Sequence, residues 1–235
     1  MSVPESRLIL FDCDGTLMDS IGLIVDVMVE AFAVQGLEKP VLAAMHDVVG
    51  RSLDEAVKRL LPKVDGEMHH SVAEAYRSIY FDRCRNYQPP LFDGVLETLE
   101  ALCDSGYLLG IVTGKSARGL AHTMAYHRLE PYFCVWRSAD HCPSKPHPAM
   151  VNECMAELCM TQSQTSLVGD SHLDMQMAVN SGVPAIGVSF GAQSSTVLRK
   201  QGAGIVVDAF TELLEHFPPV ANESPNLAKT IEVGA

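Results

Sequence analysis

Basic residues are scarce in this chain: 17 lysines and arginines face 29 aspartates and glutamates, a formal net charge of −12. The few cations form no run or stripe, so the sequence is unsuited to gripping a nucleic acid or an anionic membrane surface. No apolar stretch is long enough to span a bilayer, since even the region from Ile21 to Val34 is broken by Asp26 and Glu30. A secretory pattern is also missing, because the apolar run Leu8-Ile9-Leu10-Phe11 passes straight into Asp12 and Asp14. The seven cysteines, an odd number with no repeating spacing, fit reduced thiols rather than a disulfide framework. No Gly-x-Gly-x-x-Gly follows the first apolar run, which removes a nicotinamide-binding reading. These absences leave the expectation of a cytoplasmic protein without nucleic-acid or membrane partners, whose ligand is small. Monomer and homodimer stay equally open.

What is present is enough apolar content, 47% over 235 residues, for a sizeable core. Short apolar runs at Arg7–Phe11, Leu108–Val112, Thr165–Val168, Pro184–Val188 and Gly204–Val207 read as strands separated by amphipathic segments. That alternation predicts a doubly wound, Rossmann-like α/β core with a parallel sheet. The stretch between the first two runs is far longer than a crossover helix requires, so residues 18–88 are expected to form a separate small helical domain. Within it Ile21, Ile24, Val25, Met28 and Phe32, then Leu53, Val57, Leu60 and Leu61, recur at helical spacing. Tyr87-Gln88-Pro89-Pro90 reads as the return linker, and Val95, Leu96, Leu99 and Leu102 mark a helix closed by Gly106. Residues 1–17 and 89–217 then make the core, and 218–235, polar and proline-rich at its start, a loose tail.

Polar residues gather directly after the apolar runs, where an open parallel sheet binds its ligands. Asp12 and Asp14 lie two apart, so both carboxylates point to one side of an extended backbone, and Gly15 permits a sharp turn after them. One carboxylate can attack while the other handles protons. A carboxylate meets an anionic phosphate only if a cation offsets the repulsion, and Mg²⁺ prefers oxygen donors, for which Asp170 is the natural further ligand. Thr113 and Gly114 offer a hydroxyl and an unhindered amide at a strand-to-helix turn, a phosphate cradle. Lys145, between Pro143 and Pro146, supplies a compact positive charge for the phosphoryl group or the nucleophile.

Taken in order, Asp12-x-Asp14-Gly15-Thr16, Thr113-Gly114, Lys145-Pro146 and Gly169-Asp170-x-x-x-Asp174 resemble the four motifs of the haloacid dehalogenase superfamily. The likeness covers nearly the whole chain, with the helical insertion as a cap, and is greatest to phosphoglycolate phosphatases. It implies a phosphoric monoester hydrolase in which Asp12 forms an aspartyl-phosphate and Asp14 acts as acid and then base. It further implies Mg²⁺ held by Asp12, the Asp14 main-chain carbonyl and Asp170, with Asp174 ordering metal waters or Lys145. Gly15 and Thr16, Thr113 and Gly114, Lys145 and the cap residue Arg51 would face the substrate, a small phosphate ester. A phosphomutase acting on a sugar phosphate and a nucleotide or pyrophosphate phosphatase are the alternatives.

Blander readings exist for single residues. Asp170 alone could be a helix N-cap with Asp174 exposed one turn on, Lys145 a solvated lysine, and Arg51 a surface charge. Cys134, His141, Cys142 and His147 lack zinc-ligand spacing. Cys13 reads as an apolar filler rather than a reactive thiol.

Overall fold

The first apolar run contains no polar alternation because both faces of its strand are covered. In a computed structural model of the chain, which describes residues 7–85 and 87–220, β1 (Leu8–Phe11) is buried at every position and sits within a six-stranded parallel sheet. The other strands are β2 (Leu108–Val112), β3 (Val135–Arg137), β4 (Thr165–Gly169), β5 (Ala185–Val188) and β6 (Ile205–Val207). They lie in the order β3-β2-β1-β4-β5-β6, so the chain builds outward from β1 first one way and then the other. Phe11 stands level with Ile111 of β2 and Val168 of β4, which brings the carboxyl ends of these three strands together.

The first four of the helices between β1 and β2, α1 (Ile21–Val34), α2 (Leu42–Val48), α3 (Leu53–Leu60) and α4 (Gly66–Cys84), form the helical insertion. They bury an apolar cluster of their own, with Val25, Met28, Phe32, Met45, Val57 and Val72 at its centre. Ile9 and Phe11 face a second cluster, which includes Leu99 of α5 (Val95–Asp104) and Leu120 of α6 (Ala117–His127). Leu8 and Leu10 face a third, built with Met150 of α7 (Ala149–Glu157), Met175 of α8 (His172–Ser181) and Leu198 of α9 (Ser195–Lys200). Helices on both faces of a parallel sheet make the doubly wound arrangement that the alternating pattern predicts.

Five of the six strands coincide with the apolar runs. β3 does not announce itself: it has three residues, with Trp136 44% exposed and Arg137 paired to Glu153 and Glu157, so this edge strand carries no buried run. Residues 218–220 run along the core, where the Tyr107 hydroxyl donates to the Pro218 carbonyl at 2.6 Å and the Val220 amide to the Ser105 carbonyl at 2.9 Å. The rest of the expected loose tail, 221–235, lies outside the described residues. All seven cysteines are free thiols.

Phe11 is the keystone of the first cluster, stacked on Phe210 at 5.9 Å and edge-on to Phe133 at 6.2 Å. Truncating it should open a cavity beside the carboxyl edge of the sheet. Phe11→Ala is expected to lower the unfolding free energy by about 3–5 kcal/mol. Equilibrium urea unfolding measures the loss, and one below about 1 kcal/mol would show the site collapsing around the gap.

Candidate active site

The strand order reverses at β1, and the segments leaving β1, β2 and β4 meet there. Asp12 follows β1 directly and is 1% exposed. Lys145, 0% exposed, reaches it from the loop between β3 and α7: its Nζ donates to Asp12 Oδ1 at 2.6 Å and to Asp174 Oδ1 at 2.7 Å. The reading of Lys145 as a solvated lysine is thereby excluded. Burial pulls the ammonium toward neutrality, but the Asp12 and Asp174 carboxylates outweigh it and hold its pKa above the ordinary lysine value.

Asp174 is not an exposed residue one turn into a helix. It is fully buried in the first turn of α8, whose N-cap is Ser171 rather than Asp170. The Ser171 amide donates to Asp174 Oδ2 at 3.2 Å and the Asp174 amide to Ser171 Oγ at 3.4 Å, a reciprocal capping box. The Ser171 hydroxyl adds a bond to Oδ2 at 2.5 Å that helps fix the carboxylate toward Lys145. Freed from capping, Asp170 turns toward Asp12. Its Oδ2 accepts the Ala192 amide at 2.6 Å, and the Thr16 hydroxyl lies 3.4 Å from its Oδ1.

Among the described residues Asp12, Asp170 and Asp174 form the one group of three potential metal ligands, each offering an oxygen within 4.8 Å of the others. Cys134, His141, Cys142 and His147 form no such group. Asp12 Oδ2 is buried and has no hydrogen-bond partner. Burial, only partly offset by Lys145, raises the Asp12 carboxyl from 3.8 to about 7, and burial beside Asp12 pushes Asp170 up as well. Adjacent buried carboxylates with an unused oxygen are what a hard divalent cation such as Mg²⁺ stabilises, so the donor set fits that ion.

Asp14 belongs to a different electrostatic environment. Its Oδ1 accepts the Ser20 hydroxyl at 2.6 Å and the Lys115 ammonium at 2.7 Å. Ser20 occupies the N-cap position of α1 but makes no capping bond with its side chain, which serves Asp14 instead. Lys115, on the turn after β2, also donates to the Tyr80 hydroxyl of α4 at 3.0 Å. Desolvation opposes the charge on Lys115, and Asp14 followed by Tyr80 more than restores it. Thr113, fully buried, accepts the Lys115 amide at 3.2 Å on its hydroxyl oxygen and so keeps its own proton for donation.

Glycines set the spacing. Gly15 adopts φ +80°, and a side chain there or at Gly191 would strike the Asp170 carboxylate. At Gly114 a Cβ would stand 2.5 Å from the carbonyl oxygens of Gly50 and Arg51, so this glycine is demanded by the approach of the helical insertion. Arg51 Nη1 donates to the Lys145 carbonyl at 3.2 Å, and the Ser52 amide donates to Ser144 Oγ at 2.9 Å. Arg51 Nε is buried without a partner. Cys13 is fully buried, with its thiol pushed up by burial and by Asp14, which suits a filler and not a nucleophile.

Sequence reasoning assigns no role to Lys115, Ser20, Ser171, Gly191 or Ala192. Lys115 and Ser171 lie inside motif segments and carry a positional signal. Gly191 and Ala192 follow the β5 run at the same sheet edge, but nothing in their type announces a contact with Asp170.

The model of haloacid dehalogenase-like hydrolases matches residues 9–188 of this chain. A phosphoglycolate phosphatase of Vibrio parahaemolyticus is 29% identical over 225 residues, covering 92% of this chain and 97% of the relative. One of Salmonella typhi is 30% identical over 232 residues, covering 88% and 91%. The crystal structure of a hydrolase from Pseudomonas syringae superposes with a TM-score of 0.81 at 22% identity, over 90% of this chain and 97% of that one.

The raised Asp12 carboxyl has a stability consequence. Folding favours its protonated form, so the associated stability is present below about pH 4 and is lost as pH rises through about 7. Without divalent cation, the urea midpoint of the wild type is expected to fall across that interval relative to Asp12→Asn, and Mg²⁺ to restore it at pH 7. Parallel pH profiles for the two proteins would refute the assignment.

Proposed function

The chain belongs to the haloacid dehalogenase-like hydrolases, and from that premise we propose that it is a phosphatase for small phosphate monoesters, of the 2-phosphoglycolate type, working through an aspartyl-phosphate on Asp12. The observation that carries the reading is the split state of the Asp12 carboxylate. Oδ1 is pinned by Lys145, while Oδ2 is buried, unpartnered and available to attack phosphorus.

Attack by Oδ2 forms the Asp12–phosphorus bond and breaks the bond to the ester oxygen. Asp14, held by Ser20 and Lys115, gives its proton to that departing oxygen. In the second step Asp14 takes a proton from water, which attacks phosphorus and returns Asp12 as a free carboxylate with release of inorganic phosphate. Thr113, Gly114 and the Gly15–Thr16 turn cradle the phosphoryl oxygens, and Lys145 balances the charge on the nucleophile. Mg²⁺ would be held by Asp12, the Asp14 main-chain carbonyl and Asp170, and supplies the positive charge that lets two anions approach. Asp174 acts at one remove by fixing Lys145. Residues 18–88 serve as a cap whose 50–52 segment rests on the catalytic loops and leaves Arg51 facing the leaving group.

Phosphate release from a panel containing 2-phosphoglycolate, sugar phosphates, nucleotides and pyrophosphate, with and without Mg²⁺, tests the proposal. Metal-dependent hydrolysis is expected, with a loss of at least about 10³-fold in Asp12→Asn that leaves the circular dichroism spectrum unchanged. Isomerised sugar phosphate without net phosphate release would identify a mutase instead.

A further inference from the structure

A cavity of about 200 Å³ lies between the helical insertion and the core, beside Asp14. Asp14 lines it and Asp12 does not, so it opens on the side of the proposed acid rather than that of the nucleophile. Its wall is mainly apolar and includes Ile24, Val25, Met28, Met45, Tyr76 and Tyr80. Tyr76 and Tyr80 are stacked on each other, 5.8 Å between centroids at 15°. The insertion contacts the core through Arg51–Lys145 and Ser52–Ser144, beside this cavity.

A two-carbon leaving group such as glycolate would cover little of that wall. An apolar cavity of about 150 Å³ accommodates a benzene ring, so this one has room for a body of that size beyond the ester carbon. We infer that the preferred substrate is a phosphate monoester whose leaving alcohol carries an apolar body the size of a six-membered ring, packed against Met28, Met45 and the Tyr76–Tyr80 pair. The inference rests on the phosphatase reading above and names the substrate class within it. Arg51 lines the same cavity, and its Nε is buried without a hydrogen-bond partner, so an acceptor on that alcohol has a donor to meet.

The test uses a matched pair, 2-phosphoglycolate and 2-phospho-3-phenyllactate, which differ by a benzyl group but leave as alcohols of similar acidity. With Mg²⁺, kcat/KM is expected to be at least tenfold higher for the phenyl ester. Ile24→Phe and Ala56→Leu, two independent ways of filling the cavity, should each cut the phenyl ester's kcat/KM at least fivefold more than that of 2-phosphoglycolate. Equal or better use of 2-phosphoglycolate by the wild type, or equal losses on both esters in both variants, would overturn the inference while the phosphatase reading stands. No phosphate release from either ester or from p-nitrophenyl phosphate would bring down that reading and the inference with it.

Discussion

One buried ammonium organises this site. Lys145 is shut away from water between Asp12 and Asp174, and each of the three charges comes from a different part of the chain. Such an arrangement contributes little net stability, because desolvating each ion costs several kcal/mol and the attraction roughly returns it. What it enforces is position. If Lys145 shifted, two buried carboxylates would face each other uncompensated, so the β3–α7 loop, the end of β1 and the first turn of α8 are held to one geometry. The same constraint leaves Asp12 with one oxygen committed and one free.

The cations of the site divide the labour between the two carboxylates that lie only two residues apart. Asp12 answers to Lys145 on the α8 side, whereas Asp14 answers to Lys115 and Ser20 on the side of the helical insertion. The two carboxylates can therefore be tuned separately although they share one strand end. Lys115 is also bonded to Tyr80, so the partner of Asp14 touches the insertion and the core at once. Placement of α4 over the sheet and placement of Asp14 are thus coupled.

Much of this was legible in the residues. Five strands and the doubly wound arrangement follow from apolar runs that are unbroken because both faces of the sheet are covered, and the four polar segments converge because strand ends do. β3 escaped because an exposed Trp136 and a paired Arg137 hide a three-residue edge strand. At the site, carboxylates and Lys145 could be read from type and order, but Lys115, Ser20 and Ala192 could not. Their roles depend on which way a side chain or amide points after folding, and residue type carries no such direction. Gly114 was read as an amide for phosphate, yet its missing side chain is required by the Gly50 and Arg51 carbonyls, a contact between segments more than 60 positions apart in the chain.

The difference between what was legible and what was not also separates chemistry from selectivity. Asp12, Asp14, Thr113 and Asp170 follow directly on strands whose register brings their ends together, and so a short ordered motif suffices to specify them. The leaving-group cavity is instead the space left when four helices come down on those ends, and its size depends on the packing of Val25, Met28 and Met45 among themselves. A methionine exchanged for a phenylalanine there would change the shape of that cavity while leaving the Asp12–Lys145–Asp174 contacts, which lie outside the insertion, to the core. Selectivity in this architecture is a packing property of the insertion, and it can drift between chains whose catalytic residues are identical.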